Sequence, residues 1–449
     1  MTTDTRQLVD LMIDADWILP MTNAQQPWLE QASLVIDQTR IVSVCTQATA
    51  RQLYKAKQQL SLAGQALMPG LINGHGHAAM SLLRGFVDDL PLHTWLNQHI
   101  WPAEAQHVGE DFVRTGTQLA LAEMLLAGVT CCNDMYFFPN ISAQVMANCG
   151  IRAQLCPPIL EFPTAWALNA DAYIDKAQQL QANYAQHALI QVGFGPHAPY
   201  TVSDSTLEKI IELAEQQDTF IQMHIHETAD EVAQAITQHG ERPLARLKKL
   251  GLLSSRLQAV HMTQLTTEEI SWLAASTTSV IHCPQSNLKL ASGFCPLPQL
   301  LDAQVRVALG TDGAASNNNL DLLEEMRTAS LIAKAINQQA ESVTTWQALQ
   351  LGTVHAAAAL GLGHQIGSLL PGYQADCIAI DLNAANTQPV FNPLSTIVYA
   401  AQSQQVSHVW VNGRLLVKDR VLQTLDLHAI LADTRQWHAK IQRPISNAR

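Results

Sequence analysis

Two rhythms of apolar and polar positions divide the chain. From Leu8 to about Ser61, short segments such as LVDLMIDADWILPM and ASLVIDQTRIVSVC alternate with polar turns, as half-buried strands do. The same style returns near the C-terminus in ADCIAIDL (375–382) and VSHVWVNGRLLVKDRVL (406–422), where Asn412-Gly413 signals a hairpin turn. Each end is too short to bury a sheet face alone. The pattern therefore predicts a small β-sandwich domain assembled from residues 1–65 and 366–449.

Between these ends, residues 66–365 follow a different rhythm. Eight short apolar strands are marked by ALMPGLINGH, AGVTCCNDM, GIRAQLCPPI, ALIQVGFGPH, TFIQMHIHE, LQAVHM, TSVIHCPQS and VRVALGTDG. Segments such as FVRTGTQLALAEMLLAG and SDSTLEKIIELAEQQ separate them, with apolar residues at helical spacing. Eight alternations of strand and helix predict an α/β fold, a (β/α)8 TIM-like barrel with its active site at the C-terminal strand ends. A doubly wound sheet is the alternative, but neither GxGxxG nor GxxxxGK[ST] is present.

Composition narrows the function classes. Hydrophobic content of 47% against 14% charged describes a globular chain with a large core. No apolar run reaches the roughly 18 residues that a membrane span needs. The N-terminal MTTDTRQLVDLMIDAD is acidic where a secretory signal would be basic, so the cytoplasm is expected. Eight cysteines without a CxxC pair argue against a disulfide framework and a thiolate zinc site. A net charge of −12 disfavours nucleic acid and anionic membranes as partners.

The polar residues at the predicted strand ends carry the chemistry. His75 and His77 lie two apart, on one face of a strand end, but an isolated HxH is more often a pair of solvent-facing histidines. Here His197, His224 with Glu227, His261, His282 and Asp312 stand at the ends of later strands. These are the residue types that bind a divalent metal or move protons. No lysine ends the fourth strand, so the site reads as mononuclear.

In that order, MPGLINGHGH, GPHAPY, MHIHET, HCPQSN, LGTDGAASNN and GSLLPGYQADCIAID resemble the amidohydrolase superfamily, in its cytosine deaminase and chlorohydrolase branch. SLLRGFVDDLPLHTWLNQHIWPAE and HIHET are most similar to the 5-methylthioadenosine/S-adenosylhomocysteine deaminases. The resemblance implies one metal per subunit, Zn²⁺ or Fe²⁺, on His75, His77, His224 and Asp312. It implies a free adenine nucleoside as the small-molecule substrate, with metal-activated hydroxide attacking C6 and ammonia leaving. Asp312 would take the water proton, Glu227 would protonate N1, and His261 would orient the hydroxide. Glu104 would accept the ribose hydroxyls, His197 would contact substrate, and Arg152 would meet a substrate carboxylate. His282 and Asn287 would shape the pocket.

Two further readings keep the same residues. A triazine or chlorinated-heterocycle hydrolase, or a guanine deaminase, would retain the metal set without needing Glu104. A catalytically silent barrel acting as a binding protein would be expected to lack a ligand or proton-transfer residue, and none is missing. A symmetric dimer or tetramer is the base-rate expectation. The apolar patch of Leu92, Trp95, Leu96, Ile100 and Trp101 reads as helix packing, with closure over a substrate as the alternative.

Overall fold

The computed structural model describes residues 5–442. They group into two units. One holds the chain up to Asn73, Met124–Cys131 and Asp321–Gln423; the other holds Gly74–Glu123, Cys132–Leu320 and the chain from Thr424.

In the first unit, strands from both ends of the chain form one continuous eight-stranded sheet. Gln7–Ile18 is central, antiparallel to Leu29–Asp37 and parallel to Tyr54–Pro69, which pairs in turn with Cys377–Asp381. The period-two pattern explains the faces. Ile13, Ala15, Leu34, Ile36, Leu67, Cys377 and Trp410 belong to one buried cluster, whereas Met12 and Val35, at alternate positions, pack around Ala50 of helix Gln47–Leu53. The described strands of the two chain ends are thus hydrogen-bonded into one sheet. At the predicted hairpin, Val411 pairs with Arg414, and Asn412 and Gly413 have φ of 52° and 76°, as a two-residue primed turn requires.

The eight expected inner strands form at Leu71–Gly76, Val129–Asp134, Arg152–Leu155, Ile190–Val192, Ile221–Ile225, Leu257–His261, Ser279–His282 and Val307–Leu309. The first starts later than expected, because Ala66–Pro69 ends the long strand of the terminal sheet. The first four are neighbours in chain order, and the last four form a parallel sheet. Isolated parallel bridges join Gly76 to Asp312 and Phe194 to Ile221. With amphipathic helices between strands, the fold is α/β and TIM-barrel-like. Helix Asp204–Gln216 illustrates the logic: Ser203 caps it, and Leu207, Ile210 and Ala214 are its buried stripe.

Residues 366–449 were expected to stay with the β domain. Helix Leu427–Ile441 instead groups with the second unit, where the Trp437 ring meets Phe112 edge-on at 5.3 Å and its Nε1 donates to Thr115. This aromatic finds its apolar cover there.

Behind the HxH strand, the short helix Ala78–Leu83 lies against helix Glu110–Leu126 at Gly116, where an added Cβ would overlap the Ala79 carbonyl. Gly116→Ala is expected to cost about 1–3 kcal/mol by overpacking. A chemical denaturation midpoint equal to wild type would refute this.

Candidate active site

His75 and His77 close the first strand, His224 lies near the end of the fifth, and Asp312 follows the eighth. One donor atom from each lies within 4.8 Å of the other three. His224 Nε2 is 3.1 Å from His75 Nε2, and Asp312 Oδ1 is 3.5 Å from His75 Nε2 and 3.2 Å from His77 Nε2.

The second nitrogen of each ring explains the convergence. His75 Nδ1 is 2.7 Å from Gln222 Oε1, His77 Nδ1 2.5 Å from the Met135 carbonyl, and His224 Nδ1 2.7 Å from the His197 carbonyl. These oxygens only accept, so each Nδ1 carries the proton and each Nε2 offers its lone pair. Three lone pairs and a carboxylate aimed at one point repel one another unless a cation lies between them. The donor set therefore fits a divalent metal, with its outer hydrogen bonds already in place. Asp312 has φ of 61°. It accepts from the Ser286 and Ser316 hydroxyls at Oδ2, 2.6 and 2.8 Å away, and from the Gly313 amide at Oδ1. Donation from two hydroxyls and an amide favours the ionised carboxylate.

Glu227 and His261 sit beside this cluster. Burial, and then the charge of Asp312, push the Glu227 pKa up to about 8, so it carries a proton near neutrality. His261 Nδ1 donates to Asn287 Oδ1 at 2.9 Å, leaving its Nε2 as an acceptor 3.7 Å from Glu227 Oε2. Asn287 thus acts on the site through His261, and its amide is 3.5 Å from His282 Nδ1.

A cavity of about 530 Å³ opens over these groups, lined among others by His77, Glu104, His197, Glu227, His261 and Asp312. Glu104 Oε1 accepts from the Tyr136 hydroxyl at 2.6 Å. Burial pushes the Glu104 pKa up to about 7, while that hydrogen bond pulls it back. His197 is neutral, its pKa lowered to about 3 by burial. Its Nδ1 is 3.2 Å from Thr201 Oγ1, which also lies 3.1 Å from the Ala198 carbonyl. Leu92, Trp95, Leu96, Ile100 and Trp101, expected to be helix packing, also line the cavity.

Arg152 is not brought to the site. It stands at the first residue of its strand, the end opposite the catalytic groups, where it is buried and donates to the Ala188 carbonyl. A strand-start side chain cannot reach a pocket built at strand ends, which corrects the expected contact with a substrate carboxylate.

Several contributing residues escaped the sequence reading. Tyr136 is one. Another group is an amide ladder, buried up to its exposed end at Gln191, in which Gln222 Nε2 donates to Gln258 Oε1, Gln258 Nε2 to Gln154 Oε1, and Gln154 Nε2 to Gln191 Oε1. The signal was present: Gln222 is two residues before His224, on the same strand face, and polar among apolar neighbours.

The amidohydrolase family model matches residues 66–416. A 5-methylthioadenosine/S-adenosylhomocysteine deaminase of Teredinibacter turnerae is 50% identical over 433 residues, 96% of this chain and 98% of its own. A crystal structure of an adenosine deaminase from Xanthomonas campestris with bound zinc superposes with TM-score 0.96 at 46% identity, covering 97% of this chain and 99% of that one. Atrazine chlorohydrolase from Arthrobacter aurescens TC1, at 23% identity and TM-score 0.89 over 95% of this chain and all of that one, shares the fold. By the extent of these matches, the chain belongs to the amidohydrolase family.

Proposed function

We propose that this chain is a zinc-dependent aminohydrolase that converts free adenine nucleosides, foremost 5′-methylthioadenosine, to the inosine analogue and ammonia. The observation that carries the reading is one cavity holding two unlike carboxyl groups. Glu227 stands beside the metal-binding set, and Glu104 is restrained by Tyr136 within an apolar wall. A purine and a ribose require that combination, whereas a triazine needs no diol acceptor. The name of the Teredinibacter relative and the zinc of the Xanthomonas structure support it. The bridges from Gly76 to Asp312 and from Phe194 to Ile221 support a closed (β/α)8 barrel.

His75, His77, His224 and Asp312 would hold the ion, which supplies Lewis-acid activation of water. The remaining chemistry belongs to side chains. Glu227, protonated, donates to N1 and makes C6 electrophilic. His261 Nε2 orients the attacking water. Asp312 takes one water proton and passes it to the departing amino group. Glu227 recovers the second as the C6 carbonyl forms, so the site returns to its starting state with ammonia released. Glu104 accepts the ribose hydroxyls and keeps the purine in register.

An absorbance screen of adenosine, methylthioadenosine, S-adenosylhomocysteine, guanine and triazines with metal-loaded protein tests the reading. Conversion of adenine nucleosides is expected, and triazine or guanine turnover without it would overturn the assignment. Within that screen, Glu104→Ala should raise KM for methylthioadenosine about 10- to 100-fold, the loss of one to two charge-assisted hydrogen bonds. An unchanged KM would remove the ribose role.

A further inference from the structure

Among the described residues, three helices open with a threonine cap followed three residues later by Glu or Gln: Thr228/Glu231, Thr266/Glu269 and Thr344/Gln347. In the latter two the acidic or amide side chain returns to the backbone N–H of the cap itself, with Thr266 donating to Glu269 at 2.8 Å and Thr344 to Gln347 at 2.9 Å. Glu231 does something different. Its own amide donates to Thr228 Oγ1, as in the other two, but its carboxylate reaches past the cap. It accepts from the His226 N–H at 3.0 Å and the Glu227 N–H at 2.7 Å, one through each oxygen.

That grip falls on a costly stretch of backbone. His226 has φ of 54°, a left-handed conformation worth about 1–3 kcal/mol of strain for a non-glycine residue. The facing loop secures the carbonyl side: Thr263 Oγ1 donates to the Glu227 carbonyl at 2.7 Å, and the Thr263 amide to the His226 carbonyl at 3.0 Å. The Glu227 residue is therefore held at both its N–H and its C=O, and its side chain is left to face the cavity.

We propose that Glu231 is a positioning residue, which clamps the left-handed turn at His226 and so aims the Glu227 carboxyl at the substrate ring nitrogen. This rests on the assignment of Glu227 as the proton donor. Without the clamp the turn relaxes toward an ordinary conformation, and the donor moves out of line while the metal set and the ribose end stay in place.

The test compares Glu231→Gln and Glu231→Ala with the wild-type metal-loaded protein. The amide of Gln keeps the volume but can accept only one of the two N–H groups. A displacement on the order of 1 Å can cost about 100-fold in rate. Expected is a graded fall in kcat for methylthioadenosine, moderate in Gln and approaching 100-fold in Ala, with KM and metal content unchanged. Hydrogen–deuterium exchange at the His226 and Glu227 amides should quicken in both variants. A kcat within twofold of wild type in both variants, or a parallel loss of kcat, metal content and melting temperature, would overturn the proposal. Wild-type protein inactive on every adenine nucleoside would instead sink the proposed function. In that case the exchange measurement still reports on the clamp.

Discussion

Asp312→Asn is expected to lower turnover by roughly 1,000-fold or more, because the proposed reaction gives the residue two jobs whose separate losses are each large. Its Oδ1 lies closest to His75 and His77 and completes the metal-binding donor set. In the proposed reaction it is also the base that accepts a water proton, its ionised form favoured by donation from Ser286, Ser316 and the Gly313 amide. Asn preserves the shape. Ser286 and Ser316 can turn their hydroxyls to suit an amide, and the Gly313 N–H can still donate to its oxygen. Folding should therefore survive while the proton acceptor does not. Turnover of methylthioadenosine is followed by absorbance, with metal content measured on the same sample. Activity within tenfold of wild type in a metal-replete variant would remove Asp312 as the base.

Why Asp312 could be singled out in advance bears on what a sequence can reveal. The eight inner strands are short apolar runs, and each of the four metal-binding residues lies at the close of one, so period and punctuation placed them among the candidates and the resemblance to the amidohydrolases chose them. Glu227 and His261 were legible for the same reason. What failed was direction and partnership. Arg152 lies on a correctly placed strand, but at its start, and chain direction alone puts it at the wrong end. The patch of Trp95 and Ile100 does pack in a buried cluster, and it lines the cavity as well, because lining a cavity and filling a core demand the same apolar stripe.

Tyr136 illustrates a deeper limit. It hydrogen-bonds Glu104 across 32 positions of sequence, and nothing in the local pattern pairs a tyrosine after one strand with a glutamate in a preceding helix. Alternation likewise told which residues were buried on each terminal strand, but not the order in which hydrogen bonding joins strands from the two chain ends. The amide ladder of Gln154, Gln222 and Gln258 was readable, since three inward polar residues in apolar strands break the rule that buried positions are apolar unless satisfied.

Glu227→Gln isolates the proposed proton donor. The amide fills the same space without an acidic proton, so kcat should fall about 100- to 10,000-fold while KM and metal content hold. The pH profile gives a second, independent reading. Burial, and then the negative charge of Asp312, raise the Glu227 pKa from 4.5 to about 8. A carboxyl with a raised pKa stays protonated below that value, so donor activity is present on the acid side and lost as pH climbs through about 8. By the same linkage, ionising Glu227 in the folded chain costs stability, a cost that starts above 4.5 and grows until about 8. The residual activity of Glu227→Gln should lack the alkaline fall near pH 8, because the titrating group is gone. A variant that keeps both wild-type kcat and an alkaline limb with an unshifted midpoint would assign the proton to some other group.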